Sequence, residues 1–265
     1  TNITKSSFFV TIAKNGGDGG AIYIAGTNAT VEASRFNTTQ SAQGKGGAIF
    51  IAGDNATVVD STLVLANSTS GGFMYIEGDN VKVLNSSMMF SSYNIVPNAT
   101  GLGRGGALFV AGNNVVISAD FKFNNATGGP DKPGNGGAIY VAGNNTNITK
   151  SSFFTTIAKN GGDGGAIYIE GVNTTVENSE CVVTQSALGR GGAISIMDDG
   201  VLKAYNNTFI ENGAKIGSAI CAISQGSYGS PDVEIVGNKF INHTGNGDDL
   251  IVVSLSNSNY LVENN

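Results

Sequence analysis

The 265-residue chain has no tryptophan, one histidine, two cysteines and four prolines, and only 13% of its residues are charged. Each scarcity excludes something. Two cysteines cannot make a disulfide framework. The one histidine, His243, follows a Phe-containing strand motif with no titratable neighbour beside it, so no role is assigned to it. Fourteen basic residues are scattered singly against twenty acidic ones, for a net charge of −6. No basic stripe is therefore present to hold a nucleic acid or an anionic membrane. No apolar run approaches the roughly 18 residues that cross a bilayer, so no membrane insertion is expected. What is abundant is glycine, with 39 residues, the mark of a turn-rich chain.

The glycines recur in phase. GGAIYIAG at 19–26 returns as GGAIFIAG at 46, GGALFVAG at 105, GGAIYVAG at 136 and GGAIYIEG at 164. With degenerate versions included, turns begin at Gly19, Gly46, Gly71, Gly105, Gly136, Gly164, Gly191, Gly217 and Gly247, at spacings of 25 to 34 residues. A second motif lies in the intervals, as NATVEASRF at 28–36, NATVVDSTL at 55–63, NVKVLNSSM at 80–88, NTTVENSEC at 173–181 and VEIVGNKF at 233–240. Self-similarity at this period marks a repeat architecture.

Within AIYIAG the residues alternate with period two and are β-branched or aromatic, which predicts strand. Repeats of about 28 residues, with three short strands each and corners of Gly and Asn, predict an all-β fold. The expected architecture is a parallel β-helix (solenoid) of about nine coils stacked at roughly 4.8 Å, with 1–265 as a single domain. Gly supplies the positive φ that sharp corners need, and Asn tolerates it. Ser6, Ser34, Ser61, Ser86, Ser151, Ser179, Asn207 and Asn238 are expected to stack at one corner and hydrogen-bond along the axis. Two positions on, Phe8, Phe36, Leu63, Met88, Phe153, Cys181, Phe209 and Phe240 are expected to form the inner apolar stack.

The third position of the AIYIAG strand reads Tyr23, Phe50, Tyr75, Phe109, Tyr140 and Tyr168. Two residues further on, the same face carries Glu77 and Glu170, and an unpaired glutamate is costly to bury. The ladder is therefore expected to face solvent as a flat stripe that another chain, a glycan or an insertion would cover. It is the expected assembly or binding surface.

The GGAI turns interleaved with Phe-x-x-Asn, as in FIEN at 209–212 and approximately FINH at 240–243, resemble the repeats of chlamydial polymorphic outer-membrane proteins. GGAIYIEGVNTTVENS is more similar still to the adhesin-like surface proteins of methanogenic archaea. The resemblance spans essentially the whole chain and implies a right-handed parallel β-helix displayed outside the cell, assigned mainly to adhesion or surface structure.

A longer period lies above the short one. Residues 1–36 and 146–181 agree at 29 of 36 positions, an offset of 145 residues or five coils. The super-repeat is thus 1–145, followed by a partial copy, 146–265. Such blocks build length, whereas a catalytic site needs only one of them. If Val262 is aligned with Ile3, Asn265 falls at the phase of Ser6. Thr1, Ile3 and Phe8 of one copy are then expected against Tyr260 and Val262 of the next, as a head-to-tail homopolymer. The expected function is a subunit of an extracellular, cell-surface filament. The alternative is a segment of a long monomeric adhesin that binds a host or cell-wall glycan. A polysaccharide lyase or hydrolase ranks below both, because such chemistry needs clustered carboxylates. The nearest approach to a cluster is Asp54 and Asp79, at one phase of adjacent coils, a candidate for a cation at most. No enzymatic activity and no cofactor are expected.

Smaller features complete the reading. GGDGG at 16–20 and 161–165 reads as a β-corner, lacking the Lys-Ser/Thr of a phosphate loop. Asp18 precedes Lys45 by one coil and Asp163 precedes Arg190, which predicts coil-to-coil ion pairs. Cys181 and Cys221 fall on different faces, so no bond between them is expected. Thirteen Asn-x-Ser/Thr sequons occur, at Asn2, Asn28, Asn37, Asn55, Asn67, Asn85, Asn98, Asn125, Asn144, Asn147, Asn173, Asn206 and Asn242, and at least one is expected to carry a glycan. Longer coils place insertions at 91–104 and 124–135, candidates for a joint recognition surface.

Overall fold

The computed structural model describes residues 1–91, 103–128, 132–224, 231–245, 249–253 and 259–265. Among these residues there are strands and no helix, and every pairing is parallel. The chain is a parallel β-helix. The GGAI-type strands, from Ile22–Ile24 to Ile251–Val253, form one nine-stranded sheet. The second motif supplies a seventeen-stranded sheet in two columns, which fuse in the longer strands Lys82–Met89 and Val116–Lys122. Short strands such as Asn125–Ala126 and Gln185–Arg190 make a five-stranded third side.

Register is continuous from end to end. Ile3, Val31, Val58, Val83, Ile117, Ile148, Val176, Ala204, Ile235 and Val262 stand in one column. A slip of one residue would turn this column outward, so burial of alternate residues fixes the register. The next inward column is the expected apolar stack, with Phe121 between Met88 and Phe153. Its aromatic pairs lie ring on ring, Phe8–Phe36 and Phe121–Phe153 both at 4.9 Å and Phe209–Phe240 at 5.0 Å. Cys181 takes a core position in this stack, while Cys221 lies on the opposite side of the GGAI sheet's inward residues, and both thiols are free.

Corners are made by single residues in the left-handed region. Lys5, Ala33, Asp60, Asn85, Lys150, Asn178 and Asn206 turn the chain between the two columns of the long sheet. Here the Ser/Asn ladder does what its phase predicts. The backbone N–H of Ser6 donates to Ser34 Oγ at 3.2 Å, that of Ser34 to Ser61 Oγ and that of Ser61 to Ser86 Oγ. Further along, Ser151 donates to Ser179, Ser179 to Asn207, Asn207 to Asn238 and Asn238 to Asn265. Each hydroxyl or amide oxygen thus satisfies a buried corner N–H of the preceding coil, a group that would otherwise cost about 1–3 kcal/mol.

The Gly-Gly corner is the tightest. Gly46 has φ 64°, and a Cβ there would run into the carbonyl of Ile49; a Cβ on Gly47 would meet the carbonyl of Gly72 in the next coil. The glycines recur because neighbouring coils approach backbone to backbone at this corner. Gly47→Ala is expected to destabilise the fold by at least about 2 kcal/mol, because neither backbone can yield without shifting a whole coil. Gly26→Ala, where nothing lies within 4 Å of the added methyl, should change stability by less than about 0.5 kcal/mol. Thermal denaturation of the two variants checks this, and equal losses would contradict it.

Candidate functional site

The outward face of the GGAI sheet carries the aromatic ladder. Tyr23, Phe50, Tyr75, Phe109, Tyr140 and Tyr168 are paired rung to rung in register. Consecutive ring centroids are 5.0, 5.3, 4.6, 5.0 and 4.8 Å apart. The rings form a cluster of their own, separate from the main core, so the outward parity read from the sequence is observed. Exposure is not. Only Tyr23, 56% accessible, presents its ring to solvent, while Phe50 and Tyr140 are each 2% accessible and the other three are also buried.

The cover comes from this chain itself. Each ring loses its faces to the rungs above and below, and long side chains from the residue preceding Gly-Gly lie over what remains. Lys45 Nζ is 4.5 Å from the Tyr75 ring centre, and the Arg104 guanidinium is 5.6 Å from that of Tyr140. Lys45 also reaches Glu77 Oε1 at 3.9 Å, closing an ion pair across the ladder. Ala52, Ala111 and Ala142 pack along the other flank. Cationic heads over aromatic faces are attracted by the ring quadrupole, and their aliphatic stems cover apolar surface. Parity identified the face but carried no information on the cover.

The expected charge pairs take another form. Asp18 Oδ1 accepts the backbone N–H of Lys45 at 2.7 Å, and Asp163 Oδ1 accepts that of Arg190 at 2.7 Å. The carboxylates thus hold the next coil's backbone, which frees Lys45 to extend over the rings. Asp54 and Asp79 act alike. Asp54 Oδ1 accepts from Asp79 N at 2.8 Å, and Asp79 Oδ1 accepts from Asn113 N at 2.7 Å. The ladder continues through Asn113 to Asn144 and from Asn144 to Val172. The two carboxylates are steps in a column of Asx oxygens, and among the described residues no three His, Cys, Asp or Glu side chains cluster as a metal site would require.

The remaining expected sites are dispersed. Ile3 and Phe8 are half-buried at the first coil, beside exposed Thr1; Tyr260 and Val262 are exposed in the last. Asn28, Asn55, Asn173, Asn206 and Asn242 are exposed and all have φ between 50° and 58°. These sequons therefore coincide with corners where asparagine already serves the backbone. Asn37, Asn67 and Asn125 are half-buried, and Asn98 lies outside the described residues. Most of the insertion at 91–104, including Tyr93 and Pro97, also lies outside them, as does Pro130 of the second.

Burial raises the hydroxyl pKa of Tyr140 well above the ordinary tyrosine value, and the nearby Glu170 charge adds to the effect. Tyr168 is raised for the same two reasons, in the same order. A family model, a curated relative and a solved structure were each sought for this chain, and none matches.

Because the folded hydroxyls ionise later than unfolded ones, their contribution to stability is complete below pH about 10 and lost as the pH rises above it. Alkaline unfolding of the wild type should therefore be steep, and Tyr140→Phe/Tyr168→Phe should flatten it. Unfolding midpoints measured between pH 9 and 12 check this; identical slopes in both proteins would contradict it.

Proposed function

We propose that this chain is a structural segment of an extracellular, surface-displayed rod that grows head to tail by β-helix stacking. The observation that carries the reading is the unbroken coil-to-coil register, which a further coil can continue at either side. Ile3 and Val262 stand in one column, and Asn265 Oδ1 already accepts from Asn238 N as Ser34 Oγ does from Ser6 N. A first coil placed beyond Asn265 would bring a Ser6 hydroxyl to the phase where the next acceptor is needed. The apolar surfaces correspond as well. One end opens into a recess lined by Ile3, Ile22, Ile24 and Val31, and the other exposes Tyr260, Leu261 and Val262. Open parallel edges of this kind are templates for a further strand.

The wording shared with chlamydial and methanogen surface repeats supports display outside the cell, and the exposed sequons suit a glycosylated rod. The near-identical blocks at an offset of 145 residues favour a second reading, in which further coils of one long adhesin occupy the same places. In either case the rod acts through length and a repeated surface. Electron microscopy of the purified chain tests stacking between copies. Filaments with an axial period of roughly 43 to 48 Å, nine to ten rungs of about 4.8 Å, are expected. Ile3→Asp, which puts a charge into the junction, should abolish them. Monomers of the unmodified chain at high concentration would overturn the polymer reading.

A further inference from the structure

The exposed apolar surface lies on a different part of the molecule from the aromatic ladder. Where the second column of the long sheet turns toward the third side, the corner residue is again left-handed, but here it is often bulky. Val10 has φ 50°, Leu65 56°, Phe90 61°, Phe123 55° and Val183 53°. Side chains of this kind rarely adopt that region, and the remaining coils place Thr38, Thr155, Glu211 and Asn242 there. Val10 is 68% accessible and Phe90 48%, and Leu65, Phe123 and the neighbouring Phe154 are exposed too. Phe90 and Phe123 stack at 5.1 Å, and Phe154 meets Phe123 edge-on at 5.6 Å. The result is a ridge of strained, solvent-facing apolar side chains outside the main core, unbroken from Leu65 through Phe90 to Phe123 and Phe154, with Val10 set apart by Thr38.

We infer that this ridge is the contact by which two copies of the chain lie side by side, antiparallel, about a two-fold axis between the rungs of Phe90 and Phe123. Its area suits the role. Five large side chains, 39 to 68% exposed, offer on the order of 450 Å², before counting half-buried Val64, Met89, Val183 and Ile210 beside them. That is as large as the largest patch on a typical monomer, and with the half-buried side chains and the flanking strand column it approaches the ~800 Å² per partner of a standard interface.

Charge fixes the partner and its direction. The two-fold axis sets rung against rung, so that Phe90 faces Phe123, Leu65 faces the coil of Thr155 with Phe154 beside it, Val10 faces the coil of Glu211, and Arg35 faces Glu180. Arg35 and Glu180 are exposed in the strand column flanking the ridge, and among the described residues neither has an ion-pair partner. They are also the same position in the two blocks, five coils apart, and one of only seven at which residues 1–36 and 146–181 differ. The divergence has placed opposite charges where an antiparallel pair brings them together, twice per dimer. The other residues of that column, including Ser7, Thr62, Ser87, Asp120, Ser152 and Thr208, bring no like charges into opposition.

Analytical ultracentrifugation of the 265-residue chain, in an Ile3→Asp background that removes end-to-end growth, tests the inference. Dimers are expected. Phe90→Asn/Phe123→Asn should weaken the dimer at least about 100-fold while leaving the melting temperature unchanged or raised, because asparagine suits the left-handed corner better than phenylalanine. Arg35→Glu should also weaken it, and Arg35→Glu/Glu180→Arg should restore it. A monomeric parent at roughly 100 µM would overturn the inference, since interfaces of this size bind at micromolar or tighter. So would a dimer insensitive to the corner substitutions, or a melting temperature that falls with them, which would make the ridge part of the fold. Dimers of the unmodified chain that never extend into filaments would count against end stacking alone.

Discussion

Everything in this molecule depends on one coil lying directly on the next. Backbone ladders run along the axis through three sheets, and at the corners, where those ladders break, side-chain oxygens replace them. Ser34, Ser61, Ser179 and Asn207 each accept a corner N–H from the coil before, and at other corners Asp18, Asp54, Asp79 and Asn113 accept one from the coil after. A side chain here is selected mainly by what stands one rung away. That constraint explains both the repetition of the sequence and its narrow vocabulary of Gly, Asn, Ser and β-branched residues.

The same constraint decides how stability and surface separate. Inward columns hold a dry stack of Ile, Val and Phe, and the Gly-Gly corner holds glycine at its second position in every coil from Gly20 to Gly192, giving way to Ser218 only near the end of the stack. Beyond exposed Tyr23, the outward aromatic rings from Phe50 to Tyr168 are buried by their own neighbours and by Lys45 and Arg104, so they act as a second core. Among the described residues, only the corner of Val10, Leu65, Phe90 and Phe123 keeps bulky apolar groups in a strained backbone region and in water. Strain of that kind persists where something other than the fold requires it.

Much of this was legible in the sequence because stacking makes it periodic. The GGAI strands, their parity, the Ser/Asn ladder, the Phe column and the alignment of Val262 with Ile3 could all be read from spacing alone. The cover over the aromatic ladder could not, since it depends on where Lys45 and Arg104 extend, and alternation says only which face a residue occupies. The Asp–Lys steps were legible as neighbours, but whether a carboxylate meets an ammonium or a backbone N–H is settled by corner geometry. The exposed ridge had no signal, because Leu65 and Phe90 are among the last residue types expected at a left-handed corner.

The central claim is that side-chain oxygens continue the coil-to-coil ladder through the corners, and amide hydrogen exchange measured residue by residue tests it most directly. The account predicts that the corner amides of Ser34, Ser61, Ser151, Ser179 and Asn207 are protected to the same degree as strand amides such as those of Val58 and Ile148. Corner amides exchanging as freely as an open turn, between protected strands, would contradict it.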